Sequence, residues 1–163
     1  LDAVASKCKG QASVKPLDVS NSEDVKGVFE SIISDYGRID VLVASAGLNA
    51  KNRNWHNVSD EDFDQIIKID LNGVFYTNRL VLEKMKEQKG GLIINVSSWA
   101  GKYVTTLTGP AYTAAKHKAF TPCLAAVYAG PVSVVTYLPA QDETFIISPP
   151  PCSFIFSNTN LFV

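Results

Sequence analysis

The sequence predicts an α/β fold built on a parallel sheet, and three observations predict it. Ile39–Val43 and Leu92–Val96 are β-branched, nearly all apolar runs, as strands covered on both faces are. Stretches of helical periodicity separate such runs. The short spacing between them calls for right-handed crossovers that return the chain to the same sheet.

Taken in chain order, residues 11–19 mix β-branched and small residues and end at a turn-like Ser-Asn-Ser, which predicts a first strand finishing near Asp18. Ser20 and Glu23 have the spacing of a capping box. Val25, Val28, Phe29, Ile32, Ile33 and Tyr36 then recur on one helical face until Gly37 stops the helix. Ile39–Val43 is the next strand. Ser59 and Asp62 open a second helix, whose apolar positions run from Phe63 to Met85 over several turns, with Gly73 allowing close packing. After Gly90-Gly91 comes the strand Leu92–Val96, which leaves the sheet at Ser97-Ser98, and a third helix is expected near Ala111. Val132–Leu138 suits one further strand. The pattern changes near Thr121: Pro122 removes a backbone donor, at a cost of about 3 kcal/mol inside a continuing helix. Pro149-Pro150-Pro151 and Phe154-Ile155-Phe156 have no periodic partner. Residues 1–140 are therefore read as one domain and 141–163 as an irregular tail.

Composition narrows the function. Fifteen basic against sixteen acidic residues leave a net charge of −1, so no long-range field marks nucleic acid or an anionic membrane as partner. Cys8, Cys123 and Cys152 are odd in number and lie far apart, without clustered histidines; neither a disulfide framework nor a zinc site is expected, and no metal ligands are assigned. No apolar run reaches the roughly 20 residues of a spanning helix. The start lacks the flank of a signal peptide, and a soluble cytoplasmic protein is the expectation. The first residue is Leu1 rather than methionine, which suggests a chain beginning mid-protein.

In parallel α/β sheets, ligands bind beyond the carboxyl ends of the strands. Three such ends carry chemistry: Asp18-Val19, Ala44-Ser45-Ala46-Gly47, and Ser97-Ser98-Trp99-Ala100-Gly101. The helix after the third contains Tyr112-Thr-Ala-Ala-Lys116, whose offset of four sets a phenol and an ammonium on one face. Each residue alone has an ordinary reading: Tyr112 as amphipathic packing, Lys116 as a solvated charge, Ser97-Ser98 as a helix cap. Together, in this order, with Ser98 fourteen residues before Tyr112, they resemble the short-chain dehydrogenase/reductase family over roughly residues 1–120.

The resemblance implies a Rossmann-like, doubly wound parallel sheet. It also implies an NAD- or NADP-dependent oxidoreductase that interconverts an alcohol and a carbonyl by hydride transfer. Ser98, Tyr112 and Lys116 take the catalytic roles; Asp18, Val19, Ala44, Ser45, Ala46, Gly47, Tyr112 and Lys116 take cofactor-binding ones. Reduction needs a proton donor at the carbonyl oxygen while hydride reaches the carbon. A phenol ordinarily ionises near pH 10, and lowering that by about three pH units takes about 4 kcal/mol. One cation about 4 Å away, at an effective dielectric of about 20, supplies that amount. In the family this lysine also contacts the nicotinamide ribose, and Ser98 would bond the substrate oxygen. Partners implied are a small alcohol or carbonyl compound and, in the full-length family, a homodimer or homotetramer through the helices containing 63–87 and 111–121.

Three departures stand out. Ala44-Ser45-Ala46-Gly47 occupies the place of an Asn-Asn-Ala-Gly turn. Asp70 aligns with a catalytic asparagine: it substitutes if that residue works through its backbone carbonyl, and impairs activity if the side-chain amide matters. The first strands and the glycine-rich phosphate loop have no counterpart in the sequence, so the sheet is expected to be incomplete, with a gap between the strand ending at Asp18 and that ending at Val43. Two other readings stay open, a non-catalytic fragment or binding module and a flavodoxin-like binding domain. Trp55, Trp99 and Tyr103 either line a substrate pocket or simply pack; His56 and His117 read as surface or capping residues.

Overall fold

The computed structural model describes residues 5–8, 10, 12–103, 107–117 and 132–137. Three strands, β1 (Val41–Ala44), β2 (Gly91–Val96) and β3 (Val132–Tyr137), form one parallel sheet in the order β1-β2-β3. Val41 faces Leu92 and Ala44 faces Asn95, while Gly91 pairs with Val132 and Val96 with Tyr137. Each of the three lies within a residue or two of the run that predicts it. The tail at 141–163, with Pro122, Cys123 and Cys152, lies outside the described residues.

The helices form where capping groups and apolar faces coincide. Helix α1 (Ser22–Tyr36) starts at Asn21, whose side chain accepts from the Glu23 and Asp24 amides, and ends at Gly37, which takes the left-handed conformation at φ 75°. The expected cap at Ser20 is thus corrected by one residue, because the Ser20 hydroxyl is engaged by Asp18 at 2.7 Å. Ser59 caps α2 (Asp60–Ile67) as expected, accepting from the Asp62 amide. The long helix foreseen from 63 onward is interrupted: Lys68–Asn72 forms a π-helical turn before α3 (Gly73–Glu87) resumes. A π-turn adds a residue to the ladder and re-aims the side chains beyond it, and it is common at functional sites. Short α4 (Trp99–Lys102) comes after β2, capped by Ser98. Residues 110–117 form α5.

Two apolar clusters hold the molecule. Val25, Phe29 and Ile32 of α1, Val81 and Met85 of α3, and Ile39, Leu42 and Ile93 of the sheet region make the larger. Ala50, Ile66, Ala111 and Ala115 make the smaller, where small side chains let α5 close on α2 and the loop after β1.

The first expected strand is not there. Residues 12–18 have no regular secondary structure and no ladder partner among the described residues, and they lie along α1 instead: Lys15 Nζ donates to Ser31 Oγ and Asp35 Oδ2, both at 2.7 Å, and Tyr36 donates to Ser13 at 3.0 Å. A strand needs a neighbour for its backbone groups, and no described strand forms a ladder with this segment. The gap expected between it and β1 is filled in part by side chains. Between them lies an apolar cavity of about 30 Å³, lined among others by Leu17, Val19, Leu42, Val43 and Gly73. No helix of the described residues is long and apolar enough to cross a membrane.

Candidate active site

The π-helical turn sets the site, because it turns Asp70 into the interior. Asp70 is 0% exposed and Lys116, arriving from α5, is 4% exposed. Asp70 Oδ1 accepts the Leu48 amide at 2.8 Å. Its Oδ2 lies 3.1 Å from Lys116 Nζ as an ion pair, without a directed hydrogen bond to that oxygen. Burial pushes the Asp70 carboxyl up, while the Lys116 ammonium and then the Leu48 amide pull it back.

Tyr112 stands one turn before Lys116, and Nζ lies 5.5 Å from the centre of its ring. The predicted pairing of phenol and ammonium is therefore realised side by side. Gly47 roofs the ion pair: a Cβ there would stand 2.9 Å from Asp70 Oδ2 and 3.0 Å from Lys116 Nζ, so no side chain fits without displacing both. Of the sequence-predicted residues, the structure brings Gly47, Asp70, Tyr112 and Lys116 together.

The other predicted residues surround them at differing range. Ala44, Ser45 and Ala46 line the apolar cavity at the end of β1, and Val19 lines it from the opposite side. Val19 also packs so tightly on Gly73 that a Cβ at Gly73 would stand 3.0 Å from it. Asp18 is turned away, accepting the Ser20 hydroxyl and amide, which hold its carboxyl below its ordinary value. Ser98 is half-buried and its Oγ accepts the Ala100 amide at 3.3 Å, so its hydroxyl hydrogen is not used in that cap.

Sequence reasoning passed over Ser97 as a site residue. Its buried hydroxyl donates to the Lys116 carbonyl at 3.0 Å, tying the end of β2 to α5. Gly101 completes that joint, since a Cβ there would fall 2.7 Å from the same carbonyl oxygen. A serine beside a strand end and a glycine four residues on were visible signals of close approach. The Leu48 amide was not legible, because a backbone donor leaves no mark in sequence. His117, read as a surface or capping residue, is exposed and its Nδ1 sits 2.7 Å from the Gly101 carbonyl. Trp99 and Tyr103 pack on each other at 4.8 Å, and Trp55 is 80% exposed.

A parallel α/β sheet with a tyrosine–lysine helix closing on its strand ends defines a Rossmann-like class of protein. The family model described as short chain dehydrogenase matches residues 1–148, and the chain belongs to that family. The 3-oxoacyl-[acyl-carrier-protein] reductase FabG of Thermotoga maritima is 37% identical over 106 residues, which is 63% of this chain and 43% of that protein. An uncharacterised oxidoreductase of Schizosaccharomyces pombe is 34% identical over 151 residues, covering 86% of this chain and 57% of its own. A metagenomic short-chain oxidoreductase solved in complex with NADP superposes with a TM-score of 0.76 at 29% identity, over 86% of this chain and 63% of that one. The chain thus spans about half the length of the curated relatives it matches.

Proposed function

We propose that the chain carries the catalytic half of an NAD(P)-dependent oxidoreductase that interconverts a small alcohol and a carbonyl compound. Residues 1–140 are the working unit. The observation that carries this reading is the Tyr112–Lys116 pair, with Nζ 5.5 Å from the ring, seated against the buried Asp70 and beneath Gly47.

The residues present suit the nicotinamide end of such a cofactor. Ala44, Ser45, Ala46 and Gly47 offer a surface of small residues, and the bare backbone of Gly47 lies directly against Lys116 and Asp70. Lys116 would meet a ribose hydroxyl there, beside Tyr112. Asp18 and Val19 belong to the same rim in this reading. The nicotinamide, when bound, supplies or accepts the hydride. The chain's own part is proton handling: the Tyr112 hydroxyl gives its proton to the carbonyl oxygen, and takes it back in alcohol oxidation. Ser98, whose hydroxyl hydrogen is not used in its cap, donates to the same oxygen and fixes its place. Asp70 and the Leu48 amide hold the lysine in position.

A test comes from the tyrosine. Tyr112→Phe keeps the ring and removes the transferable proton, so NADH- or NADPH-dependent carbonyl reduction is expected to fall at least about 100-fold, with the far-ultraviolet dichroism unchanged. Turnover that survives the substitution overturns the assignment. A second reading, a non-catalytic binding module, is favoured by one observation: residues 12–18 and the outer edge of β1 share no ladder. Calorimetric titration of the chain with NADH and NADPH separates the two, since heat of binding to either nucleotide contradicts the second.

A further inference from the structure

A buried ammonium beside a phenol favours loss of the phenol's proton, yet in this site the ammonium is already answered. Lys116 Nζ lies between the Tyr112 ring, 5.5 Å away, and Asp70 Oδ2, 3.1 Å away. Both members of the ion pair are almost wholly removed from water. At an effective dielectric of about 20, an uncompensated charge at that range from the ring moves proton affinity by roughly two pH units. A carboxylate against the ammonium turns the charge into a dipole, whose effect on the phenol is much smaller.

The remaining charged groups on the surrounding elements are engaged elsewhere or face solvent. Asp18 accepts from Ser20, Arg53 donates to the Ala50 carbonyl, and Lys102 lies over the Tyr103 ring. His117 contacts the Gly101 carbonyl, and Lys68 and Asp64, on either side of the start of the π-turn, are exposed. No described group takes over the compensation if Asp70 is removed.

We infer that Asp70 is a positioning residue that holds Lys116 and cancels most of its charge at Tyr112, keeping the phenol as a proton donor and biasing the site toward carbonyl reduction. The inference rests on the functional reading above for its direction of reaction, but its electrostatic core does not require turnover.

The test is a spectrophotometric pH titration of tyrosinate in the full chain, with the Tyr112 signal taken as the difference from Tyr112→Phe. In Asp70→Asn, which keeps the acceptor for the Leu48 amide, the Tyr112 signal is expected about one pH unit or more below that of the unaltered chain, roughly tenfold in proton affinity. In Asp70→Asn/Lys116→Met both charges are gone, and the signal is expected to coincide with that of the unaltered chain. Coincidence of Asp70→Asn with the unaltered chain overturns the inference. If Asp70→Asn does not fold, the double variant decides alone: should the unaltered chain titrate about two pH units below it, Lys116 acts uncompensated and the inference fails. Where turnover is measurable, the acidic limb of alcohol oxidation, where the phenol must already have lost its proton, moves to lower pH in Asp70→Asn, whereas a purely structural role lowers the rate without moving the limb. A titration shift without turnover in any form would remove the functional reading and leave this one standing. Loss of turnover in Tyr112→Phe with no titration shift would do the reverse.

Discussion

The two sides of β1 treat the same backbone in opposite ways. At its carboxyl end, polar groups are buried and held by other polar groups: Asp70 by the Leu48 amide and the Lys116 ammonium, Ser97 by the Lys116 carbonyl. Along its outer edge no ladder forms among the described residues. The ladder to β2 uses the Asp40 carbonyl, which accepts the Leu92 amide at 2.9 Å, and the opposite edge meets the apolar side chains of Leu17 and Val19 across a cavity. The difference teaches that local closure, not sheet completeness, holds the candidate site. Its parts come from β2, α5, the π-turn and the loop after β1, all of which pack among themselves.

The largest effect expected from breaking that closure is at Lys116. Lys116→Met leaves a carboxylate buried with no cation, and unfolding in urea should show a loss of about 3–5 kcal/mol. A loss below about 1 kcal/mol would mean that water reaches Asp70 and that the site is open like the β1 edge. Next comes Gly101→Ala. The added methyl would fall 2.7 Å from the Lys116 carbonyl oxygen, a backbone atom that cannot swing aside, so α4 or α5 must move. A cost of about 1–3 kcal/mol is expected, and thermal unfolding measures it. A neutral result would detach the Ser97–Lys116 joint from the account of the site.

Much of this was legible in sequence because it is local. The Ser59 cap, the Gly37 stop, the runs that become β1 and β2, and the four-residue offset between Tyr112 and Lys116 each depend on neighbours within a turn or two. The strand expected at residues 11–19 was not so determined. Its β-branched content is a preference for a pleated surface, and whether a ladder forms depends on a partner distant in the chain; without one, Lys15 and Ser13 bond to α1 instead. Asp70 was legible only through the resemblance, which aligns it with a catalytic asparagine. The π-turn that buries it was not, because one extra residue in a helix leaves the composition unchanged, and the Leu48 amide that receives it carries no sequence signal.

The smallest expected effect separates the two regions by the sign of their pH dependence. Asp70 has its carboxyl raised by burial, so the stability it contributes is present below the ordinary value of 3.8 and is lost as pH rises through its raised value. Asp18 is lowered by the Ser20 hydroxyl and amide, so its contribution is present above 3.8 and is lost as pH falls through its lowered value. Asp18 lies at the surface, and its share is small. In Asp18→Asn, the urea midpoint should drop slightly near neutrality and match the unaltered chain in acid. Asp70→Asn should instead remove a decline that accompanies rising pH. If both substitutions change the pH profile with the same sign, the two carboxylates sit in like surroundings, and the contrast between a closed carboxyl end and an open edge of β1 fails.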